Sequence, residues 1–182
     1  MKEAFIFLAE GFEETEAIAT IDVIRRAEIK LTSVSISDDY LVKGAHDVWV
    51  KADRLFSETD FSNGSALVLP GGMPGAANLN NHAGLKKLLK EYAGQGKKIA
   101  AICAAPLVLG GLGLLQSKNA TAYPGFEATL VGAEFIKTGV VIDGNIITGR
   151  GPGFAVDFGL AIVSQLVGPE KADEVAAGML LA

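Results

Sequence analysis

Residues 97–105 read Lys-Lys-Ile-Ala-Ala-Ile-Cys-Ala-Ala, and Pro106 follows them directly. The two lysines open an apolar run that is short enough to be a buried strand. The run ends at Cys103, and apolar residues after Pro106 recur at helical spacing, with the proline in the first turn, where no N–H is needed. The stretch predicts a strand, a sharp turn at Cys103 and a helix, which is the geometry of a nucleophile elbow.

Cys103 is the only cysteine of the chain, and this stretch alone gives it two interpretations. A thiol at a helix N-terminus is favoured as the thiolate, because the free N–H groups of the first turn attract negative charge. The small residues Ala101, Ala104 and Ala105 suit such a turn. The alternative is an inert structural cysteine, since free cysteines are among the most buried residues in proteins.

Length and composition limit the classes of protein that the chain can belong to. The 182 residues, 49% of them hydrophobic, predict a single domain spanning residues 1–182. The net charge of −5, without a basic stripe, argues against a nucleic-acid groove. One cysteine permits no internal disulfide, and residues 4–9 form too short an apolar run for a signal peptide or a membrane span. We therefore expect a cytoplasmic protein that does not enter a membrane.

The order of apolar segments predicts the fold class. Continuous or alternating apolar runs at residues 5–9, 31–36, 48–50 and 66–69 are typical of strands, and residues 140–148 predict a hairpin around Asp143-Gly144. Helical periodicity follows several of these runs, and strands that alternate with helices indicate a parallel sheet. The sequence thus predicts an α/β protein with a mostly parallel sheet and helices on both faces.

Three predicted loops at strand ends carry the candidate site. They contain Glu16, the pair Gly71-Gly72, and Cys103. In an open parallel sheet such ends meet at one edge, where ligands bind. Each signal has a structural alternative, because glutamates in a first helical turn complement the helix dipole and glycine pairs make tight turns. No metal-ligand spacing is found around His46 and His82, so we expect neither a metal nor a cofactor.

Five segments in this order resemble the ThiJ/PfpI superfamily, in the branch of the parkinsonism-associated protein DJ-one and bacterial YajL. They are Gly-Phe-Glu-Glu-Thr-Glu-Ala at 11–17, Ile-Asp-Val-Ile-Arg-Arg-Ala at 21–27, Leu-Pro-Gly-Gly at 69–72, Ala-Ala-Ile-Cys-Ala-Ala-Pro at 100–106 and Arg-Gly-Pro-Gly at 150–153. The resemblance implies a flavodoxin-like three-layer sandwich that forms a homodimer. It makes Cys103 the reactive, oxidisable cysteine and Glu16 the carboxylic acid that hydrogen-bonds its sulfur.

The same resemblance suggests further site residues. Gly72 and Ala104, with Gly71 beside them, match the backbone positions of an oxyanion pocket. Where many members carry a histidine near the cysteine, this chain has Tyr123, a poor base at pH 7, which argues against a peptidase. Three further candidates are Tyr123 itself, His46, where the branch often has an arginine, and Arg150, between Gly149 and Gly151.

Two functions are then in competition. In one, a Cys103 thiolate of lowered pKa attacks a reactive 2-oxoaldehyde or a glycated substrate, as in a glutathione-independent glyoxalase or deglycase, and Glu16 shuttles the proton. In the other, the protein is a non-enzymatic redox sensor or chaperone with an oxidisable Cys103. In both, protonated Glu16 donates to the sulfur. Residues of the first helix, Ile21, Asp22 and Arg25, are expected near a dimer contact.

Overall fold

The computed structural model describes residues 2–181, and within them eleven strands and six α-helices follow one another along the chain. The strands are β1 (Glu3–Leu8), β2 (Lys30–Ser35), β3 (Leu41–Lys43), β4 (Trp49–Lys51), β5 (Arg54–Leu55), β6 (Ala66–Leu69), β7 (Lys98–Ile102), β8 (Asn119–Ala120), β9 (Glu134–Phe135), β10 (Val140–Asp143) and β11 (Ile146–Gly149). The helices are α1 (Glu14–Arg26), α2 (Gly75–Asn81), α3 (Ala83–Gly94), α4 (Pro106–Gly111), α5 (Ala155–Val167) and α6 (Pro169–Gly178).

Seven of the strands form one central sheet in the order β10-β11-β7-β6-β1-β2-β5. Neighbouring strands run parallel throughout, except for the antiparallel pair β10 and β11 at one end. That pair is the hairpin predicted around Asp143-Gly144, with Gly144 at φ +63°. The predicted α/β class with a mostly parallel sheet is thereby confirmed.

The helices form two packed groups that flank the sheet. Helix α1 packs on α5, and α5 packs on α6; in the other group α2 contacts both α3 and α4. Because helices cover both faces, the central strands are apolar on both sides, and Phe5, Ile6 and Phe7 of β1 are almost completely buried. Among the described helices, none combines the length and the apolar character that crossing a membrane requires.

The sheet order brings the candidate loops together. Strands β11, β7, β6 and β1 are direct neighbours, and all four run in the same direction. The segments that leave their carboxyl ends carry Arg150, Cys103, Gly71 and Glu16, respectively. The convergence predicted for Glu16, Gly71 and Cys103 is therefore a property of this topology.

Three local predictions differ from the structure. The strand expected at 48–50 lies at Trp49–Lys51 and pairs with β3 in a separate small sheet. The helix that begins at Pro106 is only six residues long and ends at Gly111, although apolar residues at helical spacing continue to Leu115. Helix α2, in which three of seven residues are asparagine, is not predicted from the sequence. At its start the Gly75 N–H donates to the Gly11 carbonyl at 3.1 Å, a tertiary contact that supports a segment of weak helix propensity.

Candidate active site

Cys103 lies at a strained turn between β7 and α4. Its φ is +65°, in the left-handed region that residues with a Cβ rarely adopt. Two backbone hydrogen bonds hold the turn: Cys103 donates to the Gly149 carbonyl at 2.9 Å, and the Tyr123 N–H donates to the Cys103 carbonyl at 2.9 Å. The cysteine is 7% exposed. The predicted strand–turn–helix arrangement is thus present, and both peptide groups of the cysteine are anchored.

Glu16 is buried in the first turn of α1 and faces the elbow. It has no exposed surface, and its Oε2 accepts a hydrogen bond of 2.8 Å from the Gly71 N–H. Oε1 has no partner with hydrogen-bond geometry, although the Cys103 side chain lies close enough to lower the pKa of the carboxyl. The capping role belongs to Glu13, whose Oε2 accepts from the Glu16 N–H at 2.6 Å. Glu16 is therefore not the helix cap.

The environment of Glu16 favours its protonated form. Burial is the main cause, and the charge of Glu13 acts in the same direction; contacts with Cys103 and the Gly71 N–H oppose them only in part. Together they raise the pKa of Glu16 to about 7. A carboxylic acid with this pKa can donate and accept a proton near neutral pH, as a general acid–base must.

The Cys103 thiol does not have the lowered pKa that the sequence predicts. Burial, followed by the charge and hydrogen bonding of an ionised Glu16, raises the thiol pKa to about 12, against the lowering effect of the Gly72 and Ala104 N–H groups. The prediction considered the helix terminus but not the depth of burial. Once Glu16 is protonated, its charge is gone and its O–H can donate to sulfur, so the two groups titrate as one pair. Thiolate with protonated Glu16 is one proton-transfer form of the singly ionised pair, and thiol with ionised Glu16 is the other.

The two glycines after β6 have different roles. At Gly71 a Cβ would lie 2.6 Å from Cys103 Cβ and 2.8 Å from Glu16 Oε2, so the position has no room for a side chain. Its N–H donates to Glu16 Oε2, and an oxyanion role for Gly71 stays a prediction. Gly72 has φ +87°, and its N–H and that of Ala104 interact with the sulfur. Gly72 and Ala104 stay predictions for oxyanion binding.

His46 lies apart from the Cys103–Glu16 pair. Its Nδ1 is 2.8 Å from Glu14 Oε2, its N–H donates to Glu14 Oε1 at 2.7 Å, and its side chain is 72% exposed. The hydrogen bond to Glu14 is the main reason why the pKa of His46 is raised. His46 therefore ties the loop after β3 to the start of α1. Sequence reasoning missed this link, because 32 residues separate the two partners.

One group of possible metal ligands occurs within residues 2–181. Glu13, Glu14 and His46 each place one ligand atom within 4.8 Å of the others. The His46 and Glu14 atoms are already hydrogen-bonded to each other, and Glu13 caps α1 through its other oxygen. We assign no metal to this cluster.

Tyr123 and Arg150 meet beside the elbow. Both line a cavity of about 230 Å³, together with Phe154, which sequence reasoning missed. Tyr123 is fixed through its backbone to Cys103, as described above, and its side chain is 45% exposed. Arg150 donates its N–H to the Gly139 carbonyl at 2.9 Å. The structure thus places both residues at one cavity, whose Tyr123 wall is hydrogen-bonded to the Cys103 backbone.

The fold and site define a class: an α/β protein with a cysteine at a nucleophile elbow beside a buried, protonatable carboxyl group. The family model described as "DJ-1/PfpI family" matches residues 2–165. The chain belongs to the DJ-1/PfpI family.

Similar proteins cover nearly all of the chain. Protein DJ-1 homolog A from Arabidopsis thaliana is 41% identical over 183 residues, which are 99% of this chain and 47% of that protein. The chain thus spans about half the length of this relative. The glutathione-independent glyoxalase DJ-1 of Schizosaccharomyces pombe is 32% identical over 185 residues, 96% of each chain. A solved structure described as oxidized Toxoplasma gondii DJ-1 superposes with a TM-score of 0.95 at 36% identity, covering 99% of this chain and 98% of that one.

Proposed function

We propose that the protein is a cysteine-dependent enzyme that converts small reactive 2-oxoaldehydes to 2-hydroxy acids without glutathione. The observation that carries this proposal is the pairing of Cys103 at the elbow with the buried Glu16, whose pKa is about 7 and whose Oε1 has no other partner. The glyoxalase name of the Schizosaccharomyces pombe relative is consistent with it. The proposal includes glycated substrates that release the same aldehydes, which would make the protein a deglycase as well.

The reaction is an internal redox isomerisation, in which the aldehyde carbon is oxidised and the neighbouring ketone carbon is reduced. The Cys103 thiolate attacks the aldehyde carbon, a C–S bond forms, and the carbonyl oxygen takes a proton from Glu16 to give a hemithioacetal. Glu16 then removes the proton from that carbon and returns it to the neighbouring carbon, while the hydroxyl proton of the hemithioacetal passes to the former ketone oxygen. The aldehyde carbon becomes a thioester as the ketone carbon becomes an alcohol. Water hydrolyses the thioester, which releases the hydroxy acid and restores the thiol.

Backbone N–H groups stabilise the charge that develops in these steps. The Gly72 and Ala104 N–H groups interact with the sulfur, which supports them as donors to the thiolate and to the oxyanion of the first addition. Fixed donors of this kind stabilise an oxyanion strongly, and loss of one typically lowers the rate about 10²- to 10³-fold. None of these steps requires a metal or a cofactor.

Lactate formation from methylglyoxal tests the proposal. The full chain should produce lactate with a first-order dependence on enzyme concentration, and Cys103→Ser should produce none above background. Buffer containing an equal concentration of a free thiol is the chemical control. Turnover no faster than that control would exclude the proposed enzyme.

A second function, redox sensing or a stress-related chaperone activity, has its own supporting observation. The unpartnered Glu16 Oε1 beside Cys103 can donate a hydrogen bond to a sulfinate oxygen when the carboxyl is protonated. A related structure is described as oxidized. Peroxide treatment followed by mass spectrometry tests this function: stoichiometric addition of two oxygens at Cys103 with unchanged fold and no aldehyde turnover would favour it. Either function needs a reduced thiol, so the cytoplasm is the expected location.

We also infer a symmetric homodimer that uses the exposed side of α1. Ile18 is 44% exposed there, while the two charged residues expected at the contact have partners within the chain, since Asp22 binds Arg26 and Arg25 binds Asp53. Sedimentation at micromolar concentration should give a dimer that Ile18→Glu disrupts. Ile142→Glu is the matched control, because Ile142 is 45% exposed on β10. A monomer in the wild type, or equal effects of the two variants, would contradict this interface.

A further inference from the structure

A small cavity with aromatic walls lies beside the elbow, outside the Cys103–Glu16 pair. Its volume is about 230 Å³, and the side chains that line it are those of Tyr123, Pro124, Arg150, Pro152 and Phe154. Tyr123 and Phe154 are 45% and 38% exposed. Sites for drug-sized molecules are typically about 300–1,000 Å³, so this cavity has room for a single substituted ring.

The cavity walls are directly connected to the nucleophile. The Tyr123 N–H donates to the Cys103 carbonyl, and the Gly149 carbonyl that precedes Arg150 accepts from the Cys103 N–H, both at 2.9 Å. The Tyr123 wall is therefore joined to the carbonyl of Cys103, and the segment that leads into Arg150 is joined to the N–H of Cys103. A group bound in the cavity would therefore contact residues whose backbone is hydrogen-bonded to the nucleophile's own peptide groups.

Both rings are held in place by close contact with glycines. A Cβ at Gly139 would lie 2.3 Å from Phe154 Cδ1, and a Cβ at Gly151 would lie 3.1 Å from Tyr123 Cδ2. The Phe154 N–H also donates to the Gly151 carbonyl at 2.9 Å. The cavity is thus largely preformed, which reduces the ordering entropy that binding a flat ligand would otherwise cost.

Arg150 adds one cation to these aromatic walls. Over residues 2–181 its side chain takes part in none of the ion pairs or side-chain hydrogen bonds, although the chain carries a net charge of −5. A guanidinium binds a carboxylate through two parallel hydrogen bonds and stacks on aromatic faces. The ligand that fits is flat, aromatic and acidic.

We propose that this cavity is a specificity subsite for a planar aromatic group that carries a carboxylate. The inference rests on the proposed function, because it makes aryl 2-oxoaldehydes with a ring acid, rather than methylglyoxal, the preferred substrate class. The ring binds between Tyr123 and Phe154, the carboxylate binds Arg150, and the aldehyde is presented to Cys103.

Binding to the full chain carrying Cys103→Ser tests the subsite without any turnover. The probes are benzoate, cyclohexanecarboxylate, which is acidic but not flat, and benzamide, which is flat but uncharged. In NMR titrations benzoate should bind at least about tenfold more tightly than either of the others, with shifts at Tyr123 and Phe154. Arg150→Met should remove the preference for benzoate over benzamide. Phe154→Leu should remove the preference for benzoate over cyclohexanecarboxylate. Arg54→Met, on the distant β5, is the control.

Initial rates then separate the subsite from the proposed function. The ratio of kcat/KM for 4-carboxyphenylglyoxal to that for methylglyoxal should exceed about ten and fall about tenfold in Arg150→Met. If benzoate is preferred but neither aldehyde is turned over, the subsite stands and the proposed enzyme does not. Equal binding of the three probes, or a ratio that Arg150→Met leaves unchanged, would overturn the subsite even if methylglyoxal is a substrate.

Discussion

The Gly71 N–H donates a hydrogen bond of 2.8 Å to Glu16 Oε2, and this contact decides how the carboxyl meets Cys103. It fixes one oxygen on the backbone of the loop after β6 and leaves Oε1 buried beside the sulfur without another partner. The same glycine has no room for a Cβ, because Cys103 and Glu16 occupy the space on that side. The loop at Gly71, the Glu16 carboxyl and the Cys103 thiol therefore form one packed unit.

Gly71→Ala should damage this unit. Its new methyl group would lie 2.6 Å from Cys103 Cβ and 2.8 Å from Glu16 Oε2, so one of them must move. Overpacking of this kind costs about 1–3 kcal/mol of stability, and displacement of the acid should lower kcat by at least about tenfold. Urea unfolding and lactate production from methylglyoxal measure the two effects.

Gly94→Ala is the matched control for that variant. A Cβ at Gly94, the last residue of α3, meets no atom within 4 Å, so the substitution should leave activity unchanged and stability unchanged or slightly increased. Equal activity of Gly71→Ala and Gly94→Ala would show that the close packing at residue 71 is irrelevant to the chemistry.

The backbone at Cys103 gives a prediction about stability alone. At φ +65° a Cβ is unfavourable by about 1–2 kcal/mol, whereas glycine is not strained. The free energy of unfolding of Cys103→Gly should therefore be about 1 kcal/mol larger than that of Cys103→Ala, although glycine normally destabilises a folded protein. Ala101→Gly, within β7, should show the normal direction and lose stability. A Cys103→Ala protein more stable than Cys103→Gly would mean that the turn is not strained.

The raised pKa of Glu16 predicts a pH dependence of stability. Between its ordinary pKa of 4.5 and its folded value of about 7, the folded state keeps a proton that the unfolded state has lost. The stability that this proton supplies is fully present below pH 4.5 and is lost as the pH rises through 7. Over this window the contribution of Glu16 should fall by about 3 kcal/mol.

Unfolding free energies at pH 4.5 and pH 8 measure this effect when wild type and Glu16→Gln are compared. The difference in slope between the two proteins gives the contribution of Glu16 together with its effect on the coupled Cys103 thiol, since the remaining titrating groups are shared. Glu134→Gln, which removes an exposed carboxyl on β9, is the control. Parallel slopes for wild type and Glu16→Gln would show that the carboxyl titrates normally.

The sequence predicts those parts of the site that depend on local signals and topology. The apolar run before Cys103 and Pro106 after it define the elbow, because strand burial and proline in a first turn are local effects. The convergence of Glu16, Gly71 and Cys103 follows from a parallel sheet, in which all carboxyl ends face one edge. The hairpin at Asp143-Gly144 follows from turn chemistry.

The remaining features depend on contacts between distant residues. The His46–Glu14 link and the packing of Phe154 on Gly139 join segments whose spacing carries no motif. Glu13 rather than Glu16 caps α1 because of its side-chain rotamer. Several acidic residues lie in the same turn, so the sequence does not show which of them is the cap. The sequence shows that Cys103 precedes a helix, which favours a lowered thiol pKa. It does not show how deeply the thiol is buried, and burial is the main cause that raises this pKa.

The central claim is that Glu16 moves the proton for the chemistry of Cys103, and one pair of experiments on Glu16→Gln tests it most directly. Glutamine keeps a hydrogen-bond donor and removes both the titrating proton and the negative charge that raises the thiol pKa. We expect iodoacetamide still to alkylate Cys103, with the pH profile shifted to lower pH, while lactate production from methylglyoxal falls about 10²- to 10⁴-fold. Turnover by Glu16→Gln at the wild-type rate, with Cys103 equally reactive, would contradict the account.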